Sequence, residues 1–150
     1  MRKFKFTLQA LFNYKLTVEK MQKADLRKAQ QALRELVEEE QRLLLAYAEN
    51  ERSLEAALQR NEDVVAALAE HDAYFRFLRD ALKEIRGRIE AAEEVVARCQ
   101  ERLIITMKEL KTYAKLRSEQ FRQYLKDAQA EEDKEIGDLV SFNVINEEQT

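Results

Sequence analysis

Apolar residues recur along most of this chain in alternating steps of three and four. Counting forward in this way, ten of thirteen positions are apolar. The positions are Leu26, Ala29, Leu33, Leu36, Glu40, Leu43, Tyr47, Asn50, Leu54, Ala57, Asn61, Val64 and Leu68. This is the heptad pattern, because a repeat of about 3.5 residues keeps one seam of a helix against a partner over many turns. The pattern predicts a long coiled-coil helix.

A second series has the same spacing, and eleven of its twelve positions are apolar or aromatic. It comprises Phe75, Leu78, Leu82, Ile85, Ile89, Ala92, Val96, Cys99, Leu103, Thr106, Leu110 and Tyr113. Two arms of nearly equal length bury both seams when the chain folds back on itself. We therefore predict an all-α fold, a long antiparallel two-helix coiled-coil hairpin over residues 1–136. At 1.5 Å per residue, arms of roughly 60 residues give a rod about 90 Å long.

The amino-terminal part of the first arm carries its apolar residues in a different phase. Leu8, Leu11, Val18 and Met21 form a seam that does not continue in step with Leu26. We therefore expect a stutter between Met21 and Leu26, through which the helix continues.

Helix boundaries have few signals, because the chain has no proline and only two glycines. We place helix 1 at about 5–69, the turn at about 70–73, where Asp72 can cap the next helix, and helix 2 at about 74–135. Asn61-Glu62-Asp63 offers an earlier turn, so the turn lies between 60 and 73. Gly137 is a natural helix stop, and residues 137–150 are expected to form an acidic flexible tail or a short extended segment.

Charge is distributed unevenly, although the net charge is only -3. Counting Lys and Arg against Asp and Glu gives +7 for residues 1–34 and -8 for 35–72, then +4 for 108–126 and -7 for 127–150. In an antiparallel hairpin the two basic segments lie together, so one end of the rod is expected to be basic. The moderate excess and the lack of a recognition module argue against a nucleic-acid partner.

The residues that most catalytic and cofactor sites need are missing from the sequence. Two glycines cannot form a phosphate-binding loop, and one histidine with one cysteine cannot build a metal centre or a nucleophilic triad. His71 is interpreted as a polar turn residue and Cys99 as a buried seam residue. We therefore expect no enzyme activity and no catalytic, cofactor or metal site. Without a membrane-spanning run or a signal peptide, a cytoplasmic protein is expected.

The half of the hairpin nearer the turn has more apolar residues than two helices can bury. Leu44 and Leu45 flank Leu43, while Tyr74 and Phe77 flank the start of the second series. Surplus apolar width of this kind indicates a partner surface. A third short packing element or self-association is the alternative.

The chain opens with Lys3-Phe-Lys-Phe-Thr-Leu-Gln-Ala-Leu-Phe-Asn-Tyr-Lys, a motif that the heptad pattern does not require. It is similar to the Phe-x-Phe-x-Leu-Gln-x-Leu start of the flagellar protein-export family FliJ. Tyr74-Phe-Arg-Phe-Leu-Arg-Asp-Ala-Leu-Lys-Glu-Ile resembles the start of its second helix. The likeness extends over Leu110-Lys-Thr-Tyr-Ala-Lys-Leu and Glu131-Glu-Asp-Lys-Glu-Ile, and covers about residues 3–136.

The resemblance implies a non-enzymatic component of the flagellar type III export apparatus, similar in fold to the central stalk of rotary ATPases. It implies binding to the export ATPase hexamer and to the cytosolic domain of the export gate, promotion of transport and escort of export chaperones. The gate contacts would fall on Leu44, Tyr47, Tyr74, Leu78 and Ala81. The ATPase-ring contacts are expected on the basic residues Lys20, Lys23, Arg27, Lys111 and Lys115.

Such a protein would be cytoplasmic and peripheral to the inner face of the cell membrane at the flagellar base, held there through the gate. The alternative function is a structural or chaperone-like coiled-coil adaptor unrelated to secretion, such as a prefoldin-type clamp or a filament spacer. It would use the same seam.

Overall fold

The computed structural model describes residues 2–60 and 63–149. They form two helices, α1 at Gln9–Gln59 and α2 at Val64–Glu148, which pack against each other. The prediction of an all-α helical hairpin is confirmed, because no strand occurs among the described residues. Two compact units divide the chain. We call Met21–Leu103 the turn unit, and the described parts of Met1–Lys20 and Ile104–Thr150 the terminal unit.

The helix boundaries show that the turn predicted at 70–73 was wrong. α1 ends at Gln59 and α2 begins at Val64, so α2 runs through that segment. Asp63 caps α2 by accepting a hydrogen bond from the Ala66 backbone N–H at 3.3 Å. Asp72 instead pairs with Arg76 at 2.9 Å within α2. Of the alternative turn Asn61-Glu62-Asp63, the first two residues lie outside the described residues.

The three-and-four spacing misplaced the turn because it continues by chance across it. Val64 and Leu68 fit the phase of the first arm, yet they are 46% and 44% exposed. Ala67 is the buried residue of this turn of the helix, at 8%. The capping residue Asp63 was therefore a better boundary signal than the apolar period.

The predicted helix end near residue 135 was also wrong. α2 passes through Gly137 and continues to Glu148, so the segment predicted as a flexible or extended tail is helical. A glycine inside a helix costs only about 1 kcal/mol relative to alanine, which does not by itself end a helix. From residue 129 to residue 149 every side chain is exposed.

The core of the turn unit is a narrow seam between the two helices. Its most buried members are Leu78 at 1%, Ile85 at 2% and Ala57 at 4% exposure. Asn50, also buried, donates from Nδ2 to the carbonyl oxygen of His71 at 3.1 Å. This bond satisfies a polar group on the seam, which would otherwise destabilise the pairing.

In the terminal unit, the residues that precede α1 cover part of α2. The Phe4 ring packs edge-on against Phe121 at 5.1 Å, and the Tyr124 hydroxyl donates to the Arg2 carbonyl oxygen at 2.6 Å. Phe6 is 7% exposed and Leu110 is 8% exposed. These aromatic contacts hold the amino-terminal segment, which precedes α1, against α2.

The stutter predicted between Met21 and Leu26 is absent. Half-buried side chains recur in one three-and-four phase, at 8 just before α1 begins and then at 12, 15, 19, 22 and 26 within it. Leu11 and Met21 are 39% and 63% exposed. The pattern misled because the seam positions here are polar, namely Lys15, Glu19 and Gln22, while apolar residues occupy neighbouring outward positions.

Candidate partner-binding surfaces

Four of the five residues predicted to contact an export gate keep some exposure, and the fifth does not. Leu44 is 37% exposed, Tyr74 is 43% exposed, and Tyr47 and Ala81 are half-buried. Leu78 is 1% exposed, so it stabilises the hairpin and presents no surface to a partner. All five lie in the turn unit.

Tyr47 serves both the seam and the surface. Its ring centroid lies 4.8 Å from that of Phe75 on the opposite helix, tilted by 53°. An aromatic pair in this geometry stabilises by about 0.5–1.5 kcal/mol beyond burial of its area. A charge introduced at Tyr47 is therefore expected to weaken the hairpin as well as any surface contact.

The exposed residues of this set fall on two flanks of the seam. Leu44 follows seam residue Glu40 by four, on the flank where the Arg86 guanidinium contacts the Glu40 carboxylate at 3.5 Å. We call Val37, Leu44 and Leu58, which share this heptad position, the Leu44 flank. Heptad positions on either side of a seam face opposite ways.

Tyr74 and Ala81 directly precede seam residues, so they lie on the other side. There the His71 Nε2 lies 3.2 Å from the Ser53 hydroxyl, and Ser53 also directly precedes a seam residue. The Tyr74 and Phe77 rings stack at 6.3 Å with a 14° interplanar angle, and Phe77 is 63% exposed. We call Tyr74, Phe77 and Ala81 the Tyr74 flank. The structure does not bring Leu44 together with Tyr74.

The five predicted ring-contact residues are all exposed. Lys20, Lys111 and Lys115 belong to the terminal unit, and Lys23 and Arg27 to the turn unit. Lys111 and Lys115 are one helical turn apart on α2, so they act on the same side of that helix. Exposed lysines at this spacing suit an acidic protein surface.

Lys15 is a basic residue of the terminal unit whose charge is paired within the hairpin. Its Nζ lies 2.6 Å from the Glu109 carboxylate. The hydrogen bond to Glu109, and then the negative charge of that carboxylate, raise the pKa of Lys15 above its ordinary value. Because this pair neutralises itself, Lys15 adds little net positive charge to the surface of the terminal unit.

His71 and Cys99 lie within α2. The prediction that His71 is a turn residue was wrong, because its ring lies beside the seam with Nδ1 2.7 Å from the Ala67 carbonyl oxygen. Cys99 is a half-buried free thiol on the seam, as its spacing indicated. Over residues 2–60 and 63–149 no group of histidine, cysteine and carboxylate side chains is arranged to hold a metal ion.

An apolar surface on α2 beyond Leu103 was not predicted from the sequence. Among the described residues there, eleven large apolar ones are between 42% and 64% exposed, and six of these share one three-and-four series, namely Ile104, Met107, Phe121, Leu125, Leu139 and Phe142. A second three-and-four series, read from Ile104 in parallel with the main seam, is the signal that could have found it. Among the described helices none has a stretch that is both long and apolar enough to span a bilayer.

The sequence of the chain matches a known protein family. The family described as Flagellar FliJ protein matches residues 4–149, which is nearly the whole chain. The chain belongs to the FliJ family. No curated protein and no solved structure matches it.

Membership of the FliJ family confirms the resemblance seen in the opening motif and the second-helix start. It makes this chain a flagellar protein related to protein export, of a family whose members are non-catalytic components. The match extends past Gly137 to residue 149, so it includes the last turns of α2.

Proposed function

We propose that this FliJ-family protein is a non-enzymatic adaptor of flagellar protein export that binds both the export ATPase ring and the cytosolic domain of the export gate. The observation that carries the proposal is the family match over residues 4–149. Through the gate the protein is held peripherally at the inner face of the cell membrane, and it escorts export chaperones to the apparatus. The match favours this function over a prefoldin-type clamp or a filament spacer.

The gate is bound by exposed apolar residues of the turn unit. The Tyr74 flank supports this assignment best, because it presents two stacked rings that are 43% and 63% exposed. Exposed aromatic pairs supply large contact area at low entropy cost, and such residues dominate interface energies. The residues of the Leu44 flank are aliphatic and less exposed, at 37–39%, so this flank is the second candidate.

Two paired variants separate these flanks in a pull-down or titration with the gate cytosolic domain. Tyr74→Asp with Phe77→Asp is expected to weaken gate binding at least about a hundredfold, since each lost anchor is worth about 2 kcal/mol. Val37→Asp with Leu44→Asp tests the Leu44 flank. Val95→Asp, at 41% exposure, lies on the same side as Tyr74 but about 32 Å farther along α2, so it controls for an added negative charge away from the flank.

All of these positions are exposed, so helix content and unfolding midpoint should stay close to those of the wild type. If folded variants on both flanks bind the gate as tightly as the Val95→Asp control, the gate assignment is wrong. Loss of binding from the Leu44 flank alone would transfer the assignment to that flank.

The ATPase ring is bound by exposed basic residues, of which Lys111 and Lys115 are the pair on one helix face. Reversing both charges, Lys111→Glu with Lys115→Glu, should weaken ring binding by at least about tenfold and reduce its dependence on salt. Arg79→Glu with Lys83→Glu makes the same charge change on exposed residues of the turn unit. If the two double variants weaken ring binding equally, then only net charge matters, and Lys111 and Lys115 are not a specific binding site.

A further inference from the structure

α2 carries a second heptad series beside the seam that packs against α1. Stepping from Ile104 to Phe142 alternately by three and four gives twelve positions, of which eight are apolar. The large ones are Ile104, Met107, Phe121, Leu125, Leu139 and Phe142, and each is at least 42% exposed. We call these twelve positions the outer seam. Such spacing is the pattern by which one helix pairs with another.

Half of this seam lies on a part of α2 that has no partner helix among the described residues. The amino-terminal segment reaches α2 at Tyr124 through the Arg2 carbonyl oxygen, and every residue of 129–149 is exposed. A lone helix of about 20 residues is marginal in water, and most helix stability in proteins comes from packing an apolar face. The exposed Leu139 and Phe142 are therefore expected to be covered.

The charges along α2 indicate what covers them. Residues 108–126 carry +4 and residues 127–150 carry -7, so the sign changes close to the middle of the outer seam. A parallel copy would set like charges side by side. An antiparallel copy brings the basic half of each helix against the acidic half of the other, twice over, as a twofold axis requires.

The spacing fits the same arrangement. The steps from Ile104 to Phe142 run three, four, three and so on to a final three, so they read the same in both directions. In antiparallel pairing about the middle of the series, every position therefore meets another seam position. Ile104 meets Phe142, Met107 meets Leu139, and Phe121 meets Leu125.

The polar positions of the outer seam agree with this register. Lys111 meets Glu135, which forms an ion pair in each half of the dimer. Ala114 and Ser118 are small, and with Phe4, Phe12, Arg117 and Phe121 they line an open groove of about 410 Å³. The groove lies opposite Glu132 of the second copy, whose stem can fill it while its carboxylate reaches Arg117.

We infer that the outer seam is a self-association surface, on which a second copy of this chain binds antiparallel through residues 104–142 of α2. The inference rests on spacing, exposure and charge in the terminal unit and not on the proposed gate and ring contacts, although it shares Lys111 with the ring contact. The dimer buries Leu139 and Phe142, which have no partner helix among the described residues.

Sedimentation equilibrium of the full chain tests the apolar part of the inference. A dimer is expected, with its dissociation constant raised at least tenfold by Leu139→Asp with Phe142→Asp. Val140→Asp with Val144→Asp is the matched control, since these residues are 56% and 47% exposed in the same segment but off the outer seam. All four lie beyond the hairpin core, so folding is not at issue.

A charge exchange tests the register. Lys111→Glu alone and Glu135→Lys alone should each weaken the homodimer, because like charges then meet twice. A one-to-one mixture of the two variants should recover the wild-type affinity as a heterodimer, because every pair is again opposite in charge. The two residues are about 36 Å apart along one helix, so recovery requires two molecules.

A chain that stays monomeric up to about 100 μM, a range that includes weak dimers, would overturn the inference. So would a dimer that is weakened equally by the off-seam control. A mixture no tighter than its components would overturn the antiparallel register.

Discussion

The phase of the seam in the first half of α1 can be tested with two neighbouring residues. Gln22 lies at a seam position, and its Oε1 is enclosed without a hydrogen bond from the described residues. Met21, which the apolar spacing placed on the seam, is 63% exposed. The structure therefore predicts that residue 22 contributes to the seam and residue 21 does not, whereas the sequence spacing predicts the reverse.

We expect Gln22→Leu to stabilise the protein by about 1–2 kcal/mol. An enclosed polar atom without a partner costs about 1–3 kcal/mol, and leucine removes it while adding apolar contact. For a chain of this size, a gain of 1 kcal/mol raises the melting temperature by about 2–4 °C. Met21→Ala should change stability by less than about 1 kcal/mol, because most of that side chain is already in water.

Urea unfolding followed by circular dichroism at 222 nm measures both variants. Gln41→Leu, at an exposed position of α1, controls for the higher helix propensity and hydrophobicity of leucine. Truncation of a core methionine costs about 2–5 kcal/mol. The continuous heptad phase is refuted if Met21→Ala has a cost of this size and Gln22→Leu is no more stabilising than Gln41→Leu.

Three further predictions follow from burial, charge and backbone. Leu78→Ala should destabilise by about 2–5 kcal/mol in urea unfolding, whereas Phe77→Ala, at 63% exposure, should change stability far less; equal losses would contradict the seam. The raised pKa of Lys15 means that its pairing with Glu109 contributes below the ordinary lysine pKa, about 10.4, and is lost as the pH rises through the higher folded value. The melting temperature of Lys15→Met should therefore fall less steeply with rising alkaline pH than that of the wild type. An equally steep fall would contradict the contribution of this pair. Gly137→Ala should slow amide exchange over residues 138–146, since nothing lies within 4 Å of the added methyl group and alanine favours helix by about 1 kcal/mol; faster exchange would indicate a helix stop.

The fold could be predicted from the sequence because its determinant, two long heptad series, is local and repeated many times. The turn could not, because Val64 and Leu68 continue the period across it without glycine or proline, and only the capping Asp63 marks the break. The phase near Gln22 was hidden for a related reason. A seam that holds Lys15 and Glu19 looks polar in sequence, although Lys15 is satisfied by Glu109 across the hairpin.

The candidate gate site was harder to predict than the fold. The heptad series itself placed Leu78 on the seam, where its 1% exposure confirms it, while the family resemblance placed it in a partner surface. Packing excludes the second role in this conformation. The division of Leu44 and Tyr74 between two flanks depends on heptad position within each arm, so the resemblance alone did not reveal it.

The proposed ring contact and the inferred self-association share Lys111, so they are expected to compete. In the antiparallel dimer Lys111 meets Glu135 of the second copy, and Lys115 follows it on the same helix face. A chain whose Lys111 contacts the ATPase ring cannot also pair that residue with Glu135 of a second copy, and ring binding should dissociate the dimer by mass action. Light scattering coupled to size exclusion measures this, with chain and ATPase at fixed concentrations. The dimer-weakened Leu139→Asp and Phe142→Asp variant should bind the ring more tightly than the wild type, because it has no dimer to dissociate. A ring complex that retains the chain as a dimer, with no gain for that variant, would show that the two surfaces are separate.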